Sequence, residues 1–150
     1  MSQPAPQADA AGIPLSEQPL FSEQWIAAPI EAVFDFLVDK NKLGRWFGEF
    51  ADAPSVGESY SVTIGDDDHV AQGEFLVIEP PEKIVFSWGW SHFEPVPAGS
   101  TTVTITLSEV DDGTLVVLRH DGLPLGPEDI HAVGWKECLQ RLVVAVNAAA

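Results

Sequence analysis

The chain has 150 residues, and 23 Asp plus Glu against 7 Lys plus Arg leave a formal charge of −16. That balance excludes a broad nucleic-acid interface, which needs cations to displace counterions from phosphates, and a basic face toward anionic lipid. A 45% hydrophobic share is too high for disorder throughout, and the length suits one domain.

Residues 1–20 are rich in Pro, Ala and Gln, with Asp9 and Glu17 as charges and no hydrophobic periodicity. They read as a disordered tail preceding a domain over 21–150. The tail lacks the basic start and apolar run of a secretory signal, and no stretch approaches the roughly 20 apolar residues that span a bilayer. A cytoplasmic protein without membrane insertion is expected. The single Cys138 excludes an internal disulfide framework and a multi-cysteine zinc site.

Residues 21–26 read as a strand, and Pro29 suits the opening of a helix. Ile30, Val33, Phe34 and Leu37 follow helical spacing, with Phe36 and Val38 widening the apolar stripe. A second short helix is expected over 41–48, ending at Gly48. Tyr60, Val62 and Ile64 alternate with polar residues as in a strand, and Gly65 to Asp68 supply turn chemistry before a strand over 70–78. Pro80-Pro81 ends it, 84–90 forms the next strand, and 101–110 follows a looser segment through Pro95, Pro97 and Gly99. Asp111-Asp112-Gly113 is a hairpin signal leading into 115–120. Gly126 to Asp129 then open the longest helix, expected to run to about Asn147. The order is strand, two short helices, five strands and a long helix: an α+β arrangement of about six strands.

Five segments carry a family resemblance: IAAPIEAVFDFLVD at 26–39, LGRWFG at 43–48, GEFLVIEPPEKIVFSW at 73–88, TTVTITLSEVDDGTLVVLRHDGLP at 101–124 and HAVGWKECLQRL at 131–142. In this order they resemble the Bet v 1-like or START-like (SRPBCC) superfamily, specifically the homologues of the Hsp90 ATPase activator. The resemblance implies a helix-grip fold, with a strongly curved antiparallel sheet wrapped around the C-terminal helix and an apolar cavity between them. It does not imply one activity, since the superfamily spans lipid and phytohormone binders, polyketide cyclases and cochaperones.

The residues add their own pointers. Ile84, Phe86, Trp88 and Trp90 share one strand face, and a buried indole N–H needs a partner, so the two tryptophans are pocket candidates as well as core. His120 shares its strand face with Val116 and Leu118, where a satisfied core histidine competes with a functional one. His131 and Trp135 lie one helical turn apart, and the two histidines could meet at a cavity mouth as a polar handle. They lack a third metal ligand of convincing spacing, although Glu128 and Asp129 are near in sequence. Asp66 to Asp68 lack the ligand alternation of a calcium loop. Cys138 and His131 are separated by roughly 10.5 Å along a helix axis, too far for direct activation of the thiol.

The expected ligand-binding residues are Phe34, Trp46, Tyr60, Phe75, Trp88, Trp90, His120, His131, Trp135 and Leu139. Phe75 is sensitive to strand register, because Phe75 and Val77 compete with Leu76 and Ile78 for the inward face. No catalytic residue, metal or cofactor is assigned. Lys40, Lys42 and Arg45 form a basic island beside Trp46 and Phe47 that could attract an acidic head group.

A domain binding a small hydrophobic or amphipathic molecule is the leading expectation. The alternatives are a cyclase-like or hydrolase-like enzyme using His120 or His131, and a cochaperone-like interaction domain. The last departs from the fuller eukaryotic architecture, because only the tail precedes the domain. A homodimer stays open, through surfaces near Val85 or Phe93.

Overall fold

The computed structural model describes residues 19–64, 69–91, 96–123 and 130–149. The expectations at Asp9, Glu17, Gly65 to Asp68, Phe93 and Gly126 to Asp129 lie outside the described residues.

Ten elements follow in chain order: β1 (Leu20–Ile26), α1 (Ile30–Val38), α2 (Lys40–Leu43), β2 (Glu49–Phe50), β3 (Ser59–Ile64), β4 (His69–Glu79), β5 (Lys83–Trp88), β6 (Thr101–Val110), β7 (Gly113–Asp121) and α3 (Ile130–Ala149). The strands form one antiparallel sheet in the order β1-β7-β6-β5-β4-β3-β2, strongly curled. It therefore has seven strands, not six. The extra one, β2, pairs Glu49 with Thr63 and Phe50 with Val62, and two residues are too few to show a periodicity. A side chain at Gly48 would come within 2.7 Å of the Thr63 carbonyl, so glycine admits this close approach.

The predicted helix over 41–48 is shorter in fact. α2 stops at Leu43, whose carbonyl then accepts from the amides of Phe47 and Gly48 as the chain turns. Asp39 caps α2 through Oδ1, which accepts from the amides of Asn41 and Lys42 at 2.9 and 3.1 Å. Pro29 stands at the N-cap of α1 rather than inside its first turn.

On α3, Trp135, Cys138, Leu139, Leu142, Ala145 and Val146 are buried, the spacing of one helical face. They pack against the inner sheet face, where Phe86, Val103, Ile105, Val116 and Leu118 are also buried. In β4 a bulge between Phe75 and Val77 resolves the register question. Phe75 is buried and Leu76 is exposed, yet Ile78 also packs against the core, because the inserted residue resets the alternation. At the β6–β7 hairpin both central residues, Asp111 and Asp112, have positive φ, which short polar side chains tolerate. Gly113 has a different reason: a Cβ there would meet the Ile26 carbonyl and the Trp25 ring at 2.5 Å.

Candidate functional site

A mostly aromatic cleft of about 470 Å³ lies between the α2–β2 turn, the end of β5 and one stripe of α3. The turn contributes Gly44, Arg45, Trp46, Phe47 and Gly48; the sheet side contributes Ile64, Trp88 and Trp90; α3 contributes His131, Gly134, Trp135, Glu137, Cys138 and Arg141. The α3 set follows from helical spacing, since 131, 134, 135, 138 and 141 recur every three or four residues.

The walls are mostly aromatic and tightly fixed. Phe47 stacks on Trp88 with centroids 5.8 Å apart and meets the edge of Trp135 at 5.4 Å. The Trp46 indole donates to the Phe36 carbonyl at 2.8 Å, satisfying an acceptor that the end of α1 would otherwise leave open. Arg141 ties the turn to α3: its Nε donates to the Trp46 carbonyl at 3.1 Å and its Nη2 to Cys138 Sγ at 3.2 Å. Trp90 Nε1 donates to His131 Nε2 at 3.1 Å, so the polar edge of that indole is anchored on α3.

His120 stands deeper. It is fully buried, and Trp135 Nε1 donates to its Nδ1 at 2.9 Å. An indole nitrogen only donates, so Nδ1 is the acceptor and the neutral ring carries its proton on Nε2. That proton faces Thr101 Oγ1 at 2.8 Å, and the Thr101 hydroxyl donates to the Trp88 carbonyl at 2.8 Å. Burial first, and then the neighbouring His131, push the His120 pKa down to about 3. The His120 ring is thus a hydrogen-bonded polar group of the core and does not line the cleft.

Five of the ten expected residues are thus gathered at the cleft: Trp46, Trp88, Trp90, His131 and Trp135. The ring centroids of His120 and His131 are 6.1 Å apart, but only His131 lines the cleft. Phe34 and Leu139 belong to the packed core. Tyr60 and Phe75 line a separate, more polar depression of about 560 Å³ with Asp52, Glu58 and Gln72. There the Tyr60 hydroxyl donates to the Ser87 carbonyl at 2.5 Å, and burial pushes its pKa up. In the basic island, Lys42 pairs with Asp35 at 3.6 Å and covers the Phe36 ring, leaving Arg45 as the island's contribution to the cleft.

Sequence reasoning passed over Arg141 and Gly134. The stripe spacing from His131 places both on the cleft face, and a glycine inside a helix, costing about 1 kcal/mol relative to alanine, was a signal in itself.

Residues 27–147 match the family described as Activator of Hsp90 ATPase homolog 1-like protein. The chain belongs to this family. Its architecture is the helix-grip fold, which supports ligand binding in general. Among solved structures it is similar to MLL2253 from Mesorhizobium loti, with a TM-score of 0.76 and 22% identity over 89% of this chain and 99% of that one. CalU16 from Micromonospora echinospora gives 0.67 and 26% over 95% and 83%. DynU16, from the dynemicin biosynthetic locus, gives 0.74 and 20% over 87% of this chain, which spans about half of DynU16, 48%. A search of curated proteins finds no match. Among the described residues no helix is long and apolar enough to cross a membrane.

Proposed function

We propose that this domain binds a small hydrophobic or amphipathic molecule in the cleft between the α2–β2 turn and α3. One observation carries the reading: four of the chain's five tryptophans, with Phe47, converge on a space of about 470 Å³. That is the size range of small-molecule pockets, which are apolar with a few fixed polar groups. His131 and the two arginines are those groups here.

Native mass spectrometry of gently purified protein tests the proposal. The expected result is a bound apolar molecule on the wild type that is lost in Gly134→Leu. The Leu side chain would grow from a helix position whose Cβ meets nothing within 4 Å. Equal occupancy in both proteins would place the molecule elsewhere and overturn the reading.

A further inference from the structure

Among the described residues, the lining of the cleft carries the opposite charge bias to the chain. Of these residues, two cationic side chains line it, Arg45 and Arg141, and one acidic side chain, Glu137. Arg45 is exposed and makes no ion pair with any described residue. Arg141 uses Nε and Nη2 on Trp46 and Cys138 and has further N–H donors besides. The Trp88 ring lines the wall, but its N–H is closed to solvent and is the one buried side-chain polar atom without a hydrogen-bond partner among the described residues, so it is not a donor open to the cleft. Of the side-chain acceptors here, His131 Nε2 already receives the Trp90 N–H, and the Glu137 carboxylate is another. Among the described lining residues the two guanidinium groups outnumber the single carboxylate, and a ligand bearing an acid would add charge-assisted hydrogen bonds to them.

We infer that the cleft is selective for amphipathic anions: molecules with an aromatic or otherwise apolar body and one carboxylate or sulfonate group. The body lies against Trp88, Trp90, Trp135 and Phe47, and the acid faces Arg45 and Arg141. The inference rests on the proposed binding role and adds the charge of the ligand to it. Net charge does not supply this preference, because a chain at −16 as a whole disfavours anions.

Two fluorescent probes with the same aromatic body test it: anilinonaphthalene sulfonate, an anion, and the uncharged N-phenylnaphthylamine. Titrations at one fixed ionic strength near 0.15 M keep screening constant. Each is measured on the wild type, on Arg45→Gln and Arg45→Glu, and on Gly134→Leu. The expected result is that both probes bind, with the sulfonate preferred. Arg45→Gln weakens the sulfonate about threefold and Arg45→Glu about tenfold, while the neutral probe shifts less than twofold. Gly134→Leu removes both. Equal binding of the two probes, or a sulfonate preference indifferent to both Arg45 variants, overturns the anion selectivity and leaves the apolar site standing. Failure of both probes to bind in a Gly134-dependent way overturns the binding role and the selectivity together.

Discussion

The Trp135 indole donates to His120 Nδ1 at 2.9 Å inside the core, joining α3 to β7 through the one pair of polar atoms these two side chains can share. This bond fixes the tautomer of His120 and removes its basic lone pair from use. A protonated ring would have to break it, which agrees in sign with the pKa depressed from 6.5 to about 3.

The first prediction follows from that depression. Below pH 6.5 the unfolded chain takes up a proton at His120 that the folded chain does not accept until about pH 3. The stability from the neutral ring is therefore fully present above 6.5 and is lost as pH falls through this window. The loss approaches roughly 5 kcal/mol at its lower end. Urea midpoints of the wild type should fall more steeply between pH 6.5 and 4 than those of His120→Phe. That variant should start about 1–3 kcal/mol less stable at pH 7, because it orphans the Trp135 N–H. Equal slopes would mean that His120 titrates normally in the folded protein.

Gly89 supports the second prediction. It is buried, and a Cβ there would land on the Pro97 carbonyl and within 2.8 Å of Ala98 Cα. This close approach lets 96–98 cross the end of β5, where the Trp90 amide donates to the Val96 carbonyl at 2.8 Å. Gly89→Ala should cost about 1–3 kcal/mol by forcing two backbones apart. It should also shift Trp90 off His131, read as a change in the tryptophan emission maximum along with the lowered Tm. Wild-type stability would show that the crossing is loose.

Much of this architecture was legible before the structure, for reasons that particular residues make plain. Leu139, Leu142 and Val146 mark one face of α3, and Ile84, Phe86 and Trp88 one face of β5, because burial on a regular element repeats with its geometry. The bulge after Phe75 was not legible, since it depends on what β5 opposes to β4, and neither was β2, held by two pairings with β3. Spacing brought His120 to the inner face correctly but could not tell a cleft from a core. That distinction depends on Trp135, fifteen residues away in sequence, supplying the hydrogen bond that satisfies it. The cleft itself arises where the turn after α2 meets α3, a tertiary relation that no local pattern encodes.

Gly134 gives the third prediction, with the opposite sign to Gly89. It lies inside α3, its φ is not left-handed, and an added Cβ meets nothing within 4 Å. Gly134→Ala should stabilise the protein by about 0.8–1 kcal/mol, from helix propensity alone, and raise Tm by about 3 °C. A methyl group narrows the cleft little, so N-phenylnaphthylamine should still bind. A lowered Tm would show that the glycine accommodates something in the folded chain besides open space.

The fourth prediction concerns the thiol in the cleft wall. Cys138 is 6% exposed, and burial pushes its pKa up although Arg141 beside it acts in the other direction. Reactivity requires thiolate and access, and both are reduced here. A disulfide reagent should modify the folded protein at pH 7 at least about tenfold more slowly than the urea-unfolded chain. Because Cys138 lines the cleft next to Arg141, saturating N-phenylnaphthylamine should slow the folded-state reaction further, whereas Gly134→Leu should make that rate indifferent to the probe. Labelling that proceeds at the unfolded rate would mean that α3 opens readily from the α2–β2 turn, and the aromatic walls would then not form a lasting site.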